Sequence, residues 1–291
     1  MTSSPRIGVI GGSGLYGMDG LTDAREVAVD TPFGAPSDAL VVGALDGVAV
    51  AFLARHGRGH RLLPGDINYR ANVYALKSLG VERVLSASAV GSMKESIRPR
   101  DVVLPDQFID RTHARVSTFF GGGVAAHVAF AEPVCPVSRR ALAEAAREAG
   151  VTVHDGGTYL CMEGPAFSTR AESLLHRSWG VDVIGMTNAT EAKLAREAEL
   201  CYATLALVTD YDCWHAGEEA VHVEAVVENL EANAAKAAAT IRAAARALAE
   251  TPERTCACAT ALSGAIISSP AAIGADVRAR LGLLLDKYAA R

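Results

Sequence analysis

Short apolar runs alternate along the chain with longer stretches of helical periodicity. Several of the short runs are apolar at consecutive positions, which is typical of strands covered on both faces. The strand pattern occurs at Ile7–Ile10, Val48–Leu53, Val81–Ser86, Asp101–Leu104, Val181–Met186 and Tyr202–Thr209. The helical pattern occurs at Ile67–Leu79, Ser138–Ala149, Thr169–Trp179, Glu191–Leu200 and from Val221 to Ala249. This alternation predicts an α/β fold with a largely parallel or mixed central sheet.

The last predicted helix sets a boundary in the chain. It is rich in Ala, with Glu, Lys and Arg interspersed, and Thr251-Pro252 closes it. We therefore expect one main domain over residues 1–250. Residues 251–291 are expected to form a small appendage packed on the same domain, with a further helix at Asp276–Tyr288.

Charge and hydropathy exclude several classes of partner. The formal net charge is −5 and the pI is near 5.9, whereas proteins that bind the nucleic-acid backbone usually carry a basic face. No uninterrupted apolar run is long enough to span a bilayer. The first residues, Met1 to Arg6, lack the apolar core of a signal peptide. We expect a cytoplasmic protein that binds neither nucleic acid nor membrane.

Six cysteines lie at positions 135, 161, 201, 213, 256 and 258. They do not form two CxxC pairs, and this spacing argues against a structural zinc site. Cys256 and Cys258 are the one close pair, and whether they form a disulfide stays open. In a reducing cytosol the simplest interpretation of all six is as ordinary small residues.

A glycine-rich turn follows the first predicted strand. Gly12-Ser13-Gly14-Leu15-Tyr16-Gly17 fits the G-x-G-x-x-G pattern, and Asp30 lies at a suitable distance for a dinucleotide site. A dinucleotide unit also needs a helix of several turns at the glycines. Met18 to Ala24 is short, polar and contains Gly20, so we expect the turn to hold phosphate rather than a nicotinamide or flavin cofactor.

Polar residues follow most of the predicted strands directly. Ligands in open α/β sheets collect at the carboxyl ends of strands, so these residues are expected to face one pocket. They are Ser13, Arg55-His56-Gly57, Ser86-Ala87-Ser88-Ala89-Val90-Gly91-Ser92, Met186-Thr187 and Thr209-Asp210-Tyr211-Asp212.

The side chains at these strand ends suit a tetrahedral dianion. Arg55 offers a charged fork, and the hydroxyls of Ser13, Ser88 and Thr187 offer short donors. The sequence has no Walker motif, so free phosphate fits better than a nucleoside triphosphate. Plainer interpretations stay open: Arg55 as a surface ion-pair partner, and Ser88 or Thr187 as a structural hydroxyl.

His56 adds an imidazole to the same set. His56 and His60 have the spacing of two metal ligands on a helix, but Gly57 and Gly59 disfavour a helix there. No carboxylate lies nearby in the sequence. We therefore expect no metal at this position.

Thr209-Asp210-Tyr211-Asp212-Cys213-Trp214 is the sharpest local signal. Two carboxylates close together at the end of an apolar strand are able to bind a metal, act as acid and base, or bind a heterocycle. A carboxylic acid with a raised pKa protonates a leaving purine nitrogen well, and a second carboxylate accepts hydrogen bonds from an exocyclic amino group. Two solvated aspartates in a turn are the plainer alternative.

Several segments, in order from about residue 7 to 245, resemble the 5'-methylthioadenosine phosphorylases of the trimeric purine nucleoside phosphorylase family. Any one of them alone would be weak evidence, but together they are specific. They are Gly11-Gly12-Ser13-Gly14-Leu15, Asp30-Thr31-Pro32-Phe33-Gly34, Pro36-Ser37-Asp38, Leu53-Ala54-Arg55-His56-Gly57-Arg58, Asn68-Tyr69-Arg70-Ala71-Asn72, Asp106-Gln107-Phe108-Ile109-Asp110-Arg111-Thr112, Glu163-Gly164-Pro165, Phe167-Ser168, Arg170-Ala171-Glu172-Ser173 and Thr209-Asp210-Tyr211-Asp212-Cys213-Trp214.

The resemblance implies a mixed, partly barrel-like sheet flanked by helices, and phosphorolysis of 5'-methylthioadenosine without metal or organic cofactor in purine and methionine salvage. It implies a homotrimer in which His127 reaches the pocket of a neighbouring subunit. The implied phosphate ligands are Ser13, Arg55, His56, Ser88, the backbone of Ala89, and Thr187. The implied nucleoside contacts are Met186 on the ribose, Phe167 and Ser168 at the base, Asp210 at purine N7, Asp212 near the 6-amino group, and Val223 and Val227 around the 5' substituent.

Departures from the family pattern leave the 5' preference open. Ser13 stands where many relatives have threonine, Ala166 replaces a common arginine, and Asn188-Ala189-Thr190 replaces a segment that usually contains proline. Relatives that prefer 6-oxopurines typically have asparagine in place of Asp210, so adenine is favoured. A 5'-halogenated or plain 5'-deoxyadenosine is the alternative substrate, and a non-catalytic nucleoside sensor is the alternative of a different class.

Overall fold

The computed structural model describes residues 4–12, 15, 20–215, 223–251 and 253–288. Within them the strands are β1 Ile7–Gly11, β2 Leu21–Val27, β3 Leu40–Leu45, β4 Val48–Ala54, β5 Arg83–Ser92, β6 Val102–Leu104, β7 Gln107–Asp110, β8 Val153–Asp155, β9 Thr158–Cys161, β10 Val183–Gly185 and β11 Cys201–Asp210. The α-helices there are α1 Tyr69–Ser78, α2 Pro136–Glu148, α3 Arg170–Ser178, α4 Asn188–Glu197, α5 Val223–Glu250 and α6 Ala275–Leu285.

The strands form one mixed sheet that branches at β5. Its main path runs β2-β3-β4-β1-β5-β10-β9-β7, and β11, β6 and β8 form a branch from β5. β1 pairs in parallel with β4 and β5, and β11 pairs in parallel with β5, whereas β10 is antiparallel to β5. The predicted α/β fold with a mixed central sheet flanked by helices is confirmed.

The middle strands are apolar at consecutive positions because helices cover both faces of the sheet. Leu85 of β5 packs in one buried cluster with residues of α2 and α5, including Leu142 and Ile241. Its neighbour Val84 points the other way and packs with residues of α1 and α4, including Leu76 and Leu194. This two-sided burial leaves the carboxyl ends of the strands as the place where polar residues gather.

Element boundaries differ from the predicted ones where local chemistry overrides periodicity. The polar strand β2 was not predicted, because its residues are largely exposed and show no apolar run. β2 begins at Leu21, directly after the turn at Gly20. α4 begins three residues earlier than the helix predicted from Glu191, with Thr187 as its N-cap residue.

The C-terminal segment packs on the main body. Leu281 and Leu284 of α6 belong to the same buried cluster as Leu76 and Leu194. The division of the chain at residue 250 stays a prediction. In the described part of the chain no helix combines the length and the apolar character that a membrane crossing requires.

Candidate active site

Arg55 emerges from the end of β4 into the interior, where its side chain is 1% exposed. Its Nε donates to Oε1 of Glu191 (2.5 Å), and its Nη2 donates to Oε2 of the same carboxylate (3.1 Å) and to Ser86 Oγ (2.6 Å). Its Nη1 donates to the carbonyl of Ala87 (2.8 Å). Burial opposes the charge on Arg55, but the paired carboxylate of Glu191 raises its pKa above the usual value. The interpretation of Arg55 as an ion-pair partner is thus partly right, although the pair is buried rather than at the surface.

The hydrogen bonds of Arg55 to described residues leave one N–H of the guanidinium without an acceptor among them. A guanidinium has five N–H groups: one at Nε, two at Nη1 and two at Nη2. The four hydrogen bonds of Arg55 use the one at Nε, both at Nη2 and one at Nη1. The second N–H at Nη1 has no acceptor among the described residues. A Cβ at Gly12 would collide with Nη1 and with the carbonyl of Ala87. Glycine at this position therefore lets the turn after β1 approach the guanidinium closely. Ser13, the predicted phosphate ligand in this turn, lies outside the described residues.

A buried polar network lies beneath Arg55, and the sequence analysis missed it. Oε2 of Glu191 accepts hydrogen bonds from Ser86 Oγ (2.9 Å) and from the Tyr202 hydroxyl (2.8 Å). Nδ2 of Asn188 donates to the Tyr202 hydroxyl (2.7 Å) and to Thr204 Oγ1 (2.8 Å). These side chains come from α4, β5 and β11, and together they hold the guanidinium in one orientation.

Ser88 and Thr187, two predicted phosphate ligands, lie on segments that contact each other. β10 runs antiparallel to β5 with Ile184 opposite Gly91, and Asn188, directly after Thr187, donates from Nδ2 to Ser86 Oγ on β5 (3.2 Å). Both residues are buried, and Ser88 Oγ has no hydrogen-bond partner among the described residues. A buried hydroxyl without a partner is costly. A bound anion at this point would remove that cost, and the N-terminus of α4 directly after Thr187 favours negative charge there.

His56 is held in a defined orientation beside Arg55. Its Nδ1 lies 2.8 Å from the carbonyl oxygen of Leu62, and its ring stacks on that of His60 with centroids 4.2 Å apart. A carbonyl only accepts, so Nδ1 carries the proton and Nε2 of the neutral ring carries a lone pair. Burial, aided by the charge of Arg55, lowers the pKa of His56 to about 4. The neutral ring is therefore able to accept a hydrogen bond at Nε2.

The lowered pKa of His56 makes stability depend on pH. Between pH 6.5 and about pH 4 the unfolded chain binds a proton at His56 that the folded chain does not. The free energy of unfolding therefore falls as the pH drops through this window, by about 3 kcal/mol for this residue. Urea unfolding at several pH values should show a shallower loss for His56→Gln than for the unmodified chain. Equal losses in the two proteins would contradict this assignment.

Asp210 and Asp212 lie together at the carboxyl end of β5. Asp210 Oδ2 accepts from Thr209 Oγ1 (2.7 Å), and its Oδ1 accepts from the backbone N–H of Asp212 (2.8 Å). A Cβ at Gly91 would lie 2.8 Å from Oδ1 of Asp210, so the glycine makes room for this carboxylate. Asp212 has a positive φ of 53° and is buried, and burial raises its pKa. Its Oδ2 has no hydrogen-bond partner among the described residues.

The distance between the Arg55 guanidinium and the Asp210 carboxylate follows from their contacts along β5. Nη1 of Arg55 contacts β5 at the carbonyl of Ala87, close to Ser88, whereas the carboxylate of Asp210 contacts it at Gly91. From Ser88 to Gly91 the strand advances by three residues, which span about 10 Å. An anion beside the guanidinium and a purine beside the carboxylate would thus be separated by about one sugar ring.

Met186, Phe167 and Ser168, predicted to contact the ribose and base, belong to two segments that Arg115 joins. Arg115, which the sequence analysis missed, has a side chain 1% exposed and donates to the carbonyls of Met186 and Glu163. It thereby ties the segment before Phe167 to the strand end at Met186. Phe167 itself is 46% exposed and free to cover a base from outside.

A second contact links the base-side loop to the carboxylates. The thiol of Cys213 donates to the carbonyl of Ser168 (3.3 Å). The side chain of Ser168 lies against Met162, with Oγ 3.8 Å from the sulfur. The loop that carries Phe167 and Ser168 is therefore joined to the segment that follows Asp212.

The residues predicted around the 5' substituent are only partly described. Val227 on α5 is 44% exposed, and the side chain of Val223 lies outside the described residues. Asn229, two residues after Val227, donates to the carbonyl of Thr209 (2.8 Å) and so attaches this part of α5 to the strand end at Asp210. His127 is exposed, and its backbone N–H donates to the carbonyl oxygen of Ala265 (2.9 Å). Its predicted place in a neighbouring subunit's pocket stays a prediction.

Comparison with known proteins identifies the family. Residues 6–246 match the family described as the Phosphorylase superfamily. The chain belongs to this superfamily. The S-methyl-5'-thioadenosine phosphorylase of Geobacter sulfurreducens is 61% identical over 283 residues, which cover 97% of this chain and 98% of that protein.

Solved structures give the same result. The crystal structure of a methylthioadenosine phosphorylase from an Antarctic soil metagenomic library matches with a TM-score of 0.92 and 50% identity, covering 97% of this chain and 99% of that chain. A methylthioadenosine phosphorylase from Schistosoma mansoni in complex with adenine matches with a TM-score of 0.83 and 35% identity, covering 97% and 98%. The family resemblance inferred from the sequence motifs is confirmed, and the chain is an enzyme of the phosphorylase type.

Proposed function

We propose that the enzyme cleaves 5'-methylthioadenosine with inorganic phosphate, giving adenine and 5-methylthioribose 1-phosphate. The observation that supports this proposal is the arrangement along β5. The donors at Arg55 and Ser88 lie about 10 Å from the neighbouring carboxylates of Asp210 and Asp212. Relatives of high identity carry the name S-methyl-5'-thioadenosine phosphorylase, and this favours the methylthio compound over a 5'-halogenated or 5'-deoxy analogue. Phosphate-dependent release of adenine from 5'-methylthioadenosine tests the proposal.

Phosphate binds beside the middle of β5, where Arg55 contacts Ala87. Donors come from the Nη1–H of Arg55 and the hydroxyl of Ser88, neither of which has a partner for that hydrogen among the described residues. The Thr187 hydroxyl, which donates to Asn188 Oδ1 (3.2 Å) in the structure, turns to the anion when phosphate binds. His56 accepts a hydrogen bond from the protonated phosphate oxygen through Nε2. The backbone of Ala89 and the side chain of Ser13 complete the proposed set.

The purine binds against the two aspartates. Asp210 donates or shares a proton at N7, and Asp212 accepts a hydrogen bond from the 6-amino group through its unpartnered Oδ2. Phe167 packs on the face of the base, with Ser168 beside it. Met186 lies against the ribose that joins the base to the phosphate side.

The reaction breaks the C1'–N9 bond and forms a bond between C1' and a phosphate oxygen. As the C1'–N9 bond stretches, its electron pair moves into the purine, and protonation at N7 by Asp210 neutralises the developing charge. The ribosyl group becomes cationic, and the negative charge of phosphate on the opposite face stabilises it. Binding, positioning and one proton transfer account for the chemistry, so the proposed reaction needs no metal or organic cofactor.

The 5' substituent is proposed to lie in an apolar pocket between Val223, Val227 and His127 of a neighbouring subunit. An apolar lining favours a methylthio group, because an unpaired hydroxyl there would be costly. The active form is then a homotrimer. Exposed apolar side chains support an interface: Leu174 and Leu175 on α3 are 51% and 52% exposed.

We also propose a cytoplasmic location. All six cysteines are free thiols, as is usual for proteins in a reducing cytosol. The acidic pI near 5.9 does not favour nucleic acid as a partner. The proposed partners are therefore the nucleoside, phosphate and further copies of the chain.

Removing the hydroxyls of the phosphate site should weaken phosphate binding selectively. A hydrogen bond to a charged group contributes about 1.5–3 kcal/mol, so Ser88→Ala and Thr187→Val should each raise the KM for phosphate roughly 10- to 100-fold. The KM for the nucleoside should change much less. Steady-state kinetics with each substrate varied in turn measures both effects.

Thr240→Val is the matched control for Thr187→Val. Thr240 is equally buried, but its hydroxyl donates to the carbonyl of Lys236 within α5 (2.8 Å). This control should leave the KM for phosphate unchanged. Equal effects of the two threonine substitutions would exclude Thr187 as a phosphate ligand.

A further inference from the structure

Four of the six cysteines converge from three distant segments of the chain. Cys135 directly precedes α2, Cys201 is the first residue of β11, and Cys256 and Cys258 belong to the C-terminal segment. Their sulfur atoms all lie within 4.8 Å of one another. The sequence spacing, from which these four were expected to be ordinary small residues, did not predict this convergence.

The spacing of the sulfur atoms suits a tetrahedral metal ion. Cys256 Sγ lies 3.4 Å from Cys201 Sγ and 3.7 Å from Cys135 Sγ. Four sulfurs at the Zn–S distance of about 2.3 Å form a tetrahedron with edges of about 3.8 Å. The four thiols therefore need only small shifts to surround one zinc ion.

The surroundings favour thiolates at this place. Cys135, Cys201 and Cys258 are at most 4% exposed, and Cys256 is partly exposed, so a metal would be enclosed yet reachable. Cys135 is the N-cap residue of the thirteen-residue helix α2, and a helix N-terminus stabilises a thiolate. The backbone N–H of Cys135 donates to Tyr202 (2.8 Å), which holds α2 and the start of β11 in register.

We propose that Cys135, Cys201, Cys256 and Cys258 bind one structural zinc ion. The four thiols would release their protons to solvent on binding, and four sulfur ligands leave no open position for a substrate or water. The ion would join the C-terminal segment to α2 and β11. The absence of paired CxxC motifs does not argue against this site. The fold brings the three segments that carry the ligands together, although they are far apart in the sequence.

The proposed metal is independent of the proposed reaction. Cys201 begins β11 and Asp210 ends it, and a ten-residue strand spans about 30 Å. Zinc at Cys201 therefore contacts neither phosphate nor purine. Its expected effect is on stability and on attachment of the C-terminal segment.

Metal analysis of the full-length enzyme tests the site. The protein should be purified with a non-thiol reductant and without chelator, and its metal content measured by plasma mass spectrometry. We expect about one zinc per chain. Cys201→Ala and Cys256→Ala should lose this zinc, whereas Cys161→Ala, which removes a buried thiol outside the cluster, should keep it.

Cobalt substitution gives a second readout that does not depend on the variants. Cobalt added to the metal-free, reduced enzyme should produce the intense visible bands of a tetrahedral thiolate site, and zinc should displace them. If the wild-type enzyme carries no zinc and gives no such bands while its thiols are reduced, the proposal is wrong. Two missing thiols in freshly purified protein, with a mass lower by two hydrogens, would show a disulfide instead and would also overturn it.

Discussion

Replacing Asp210 with alanine is expected to lower kcat for 5'-methylthioadenosine by about 100- to 10,000-fold, the usual contribution of a general acid. The side chain lies beside Gly91 at the end of β11, where its carboxylate is held by Thr209 and by the backbone of Asp212. Without it, the purine would depart as an anion with no proton at N7. Single-turnover measurement of adenine release separates this effect from slow product release.

A substrate with a stable anionic leaving group distinguishes protonation from positioning. Such a riboside needs no proton on departure, so Asp210→Ala should slow its phosphorolysis far less than that of 5'-methylthioadenosine. Circular dichroism and thermal unfolding should show that the variant keeps its fold. Near-normal turnover of 5'-methylthioadenosine by Asp210→Ala would exclude the role assigned to this carboxylate.

Replacing Glu191 with alanine is expected to lower the free energy of unfolding by about 3–5 kcal/mol, because it leaves the guanidinium of Arg55 buried without a counter-charge. The two side chains are 1% and 3% exposed and are joined by two hydrogen bonds. The phosphate site should also be disturbed, because Glu191 sets the orientation of the guanidinium. Urea unfolding monitored by far-ultraviolet circular dichroism measures the loss of stability.

The double variant Arg55→Met/Glu191→Leu is the control for charge burial. Replacing a whole buried ion pair with apolar residues of similar size is often neutral or stabilising. The double variant should therefore regain much of the stability lost in Glu191→Ala. Its kcat/KM for phosphate should stay low, because the guanidinium of Arg55 no longer donates hydrogen bonds to the anion. Recovery of both properties would mean that Arg55 has a structural role only.

The convergence of polar residues was predictable from the sequence because it follows from one rule of α/β sheets. Arg55, Ser88 and Asp210 each follow or end an apolar run, and parallel strands bring such positions to one edge. The order of strands and the branch at β5 were not predictable in this way. Pairing depends on which helices cover which face, and the short strands β7 to β9 carry little periodicity of their own.

The supporting shell of the site was missed for a physical reason. Glu191 lies 136 residues from Arg55, and a glutamate in the first turn of a helix looks like an ordinary helix-stabilising residue. Its burial is visible only once α4 packs on β5. The cysteine cluster was missed in the same way, because Cys135 and Cys201 are far from Cys256 and Cys258 in sequence and meet only through the fold.

The central claim is that phosphate, rather than water, accepts the ribosyl group from 5'-methylthioadenosine. The direct measurement is adenine release from 5'-methylthioadenosine by the purified enzyme with and without inorganic phosphate, with the sugar product followed by phosphorus magnetic resonance. The account predicts adenine only when phosphate is present, with one sugar 1-phosphate formed for each adenine. Adenine release at the same rate without phosphate, or nucleoside binding with no release at all, would contradict it.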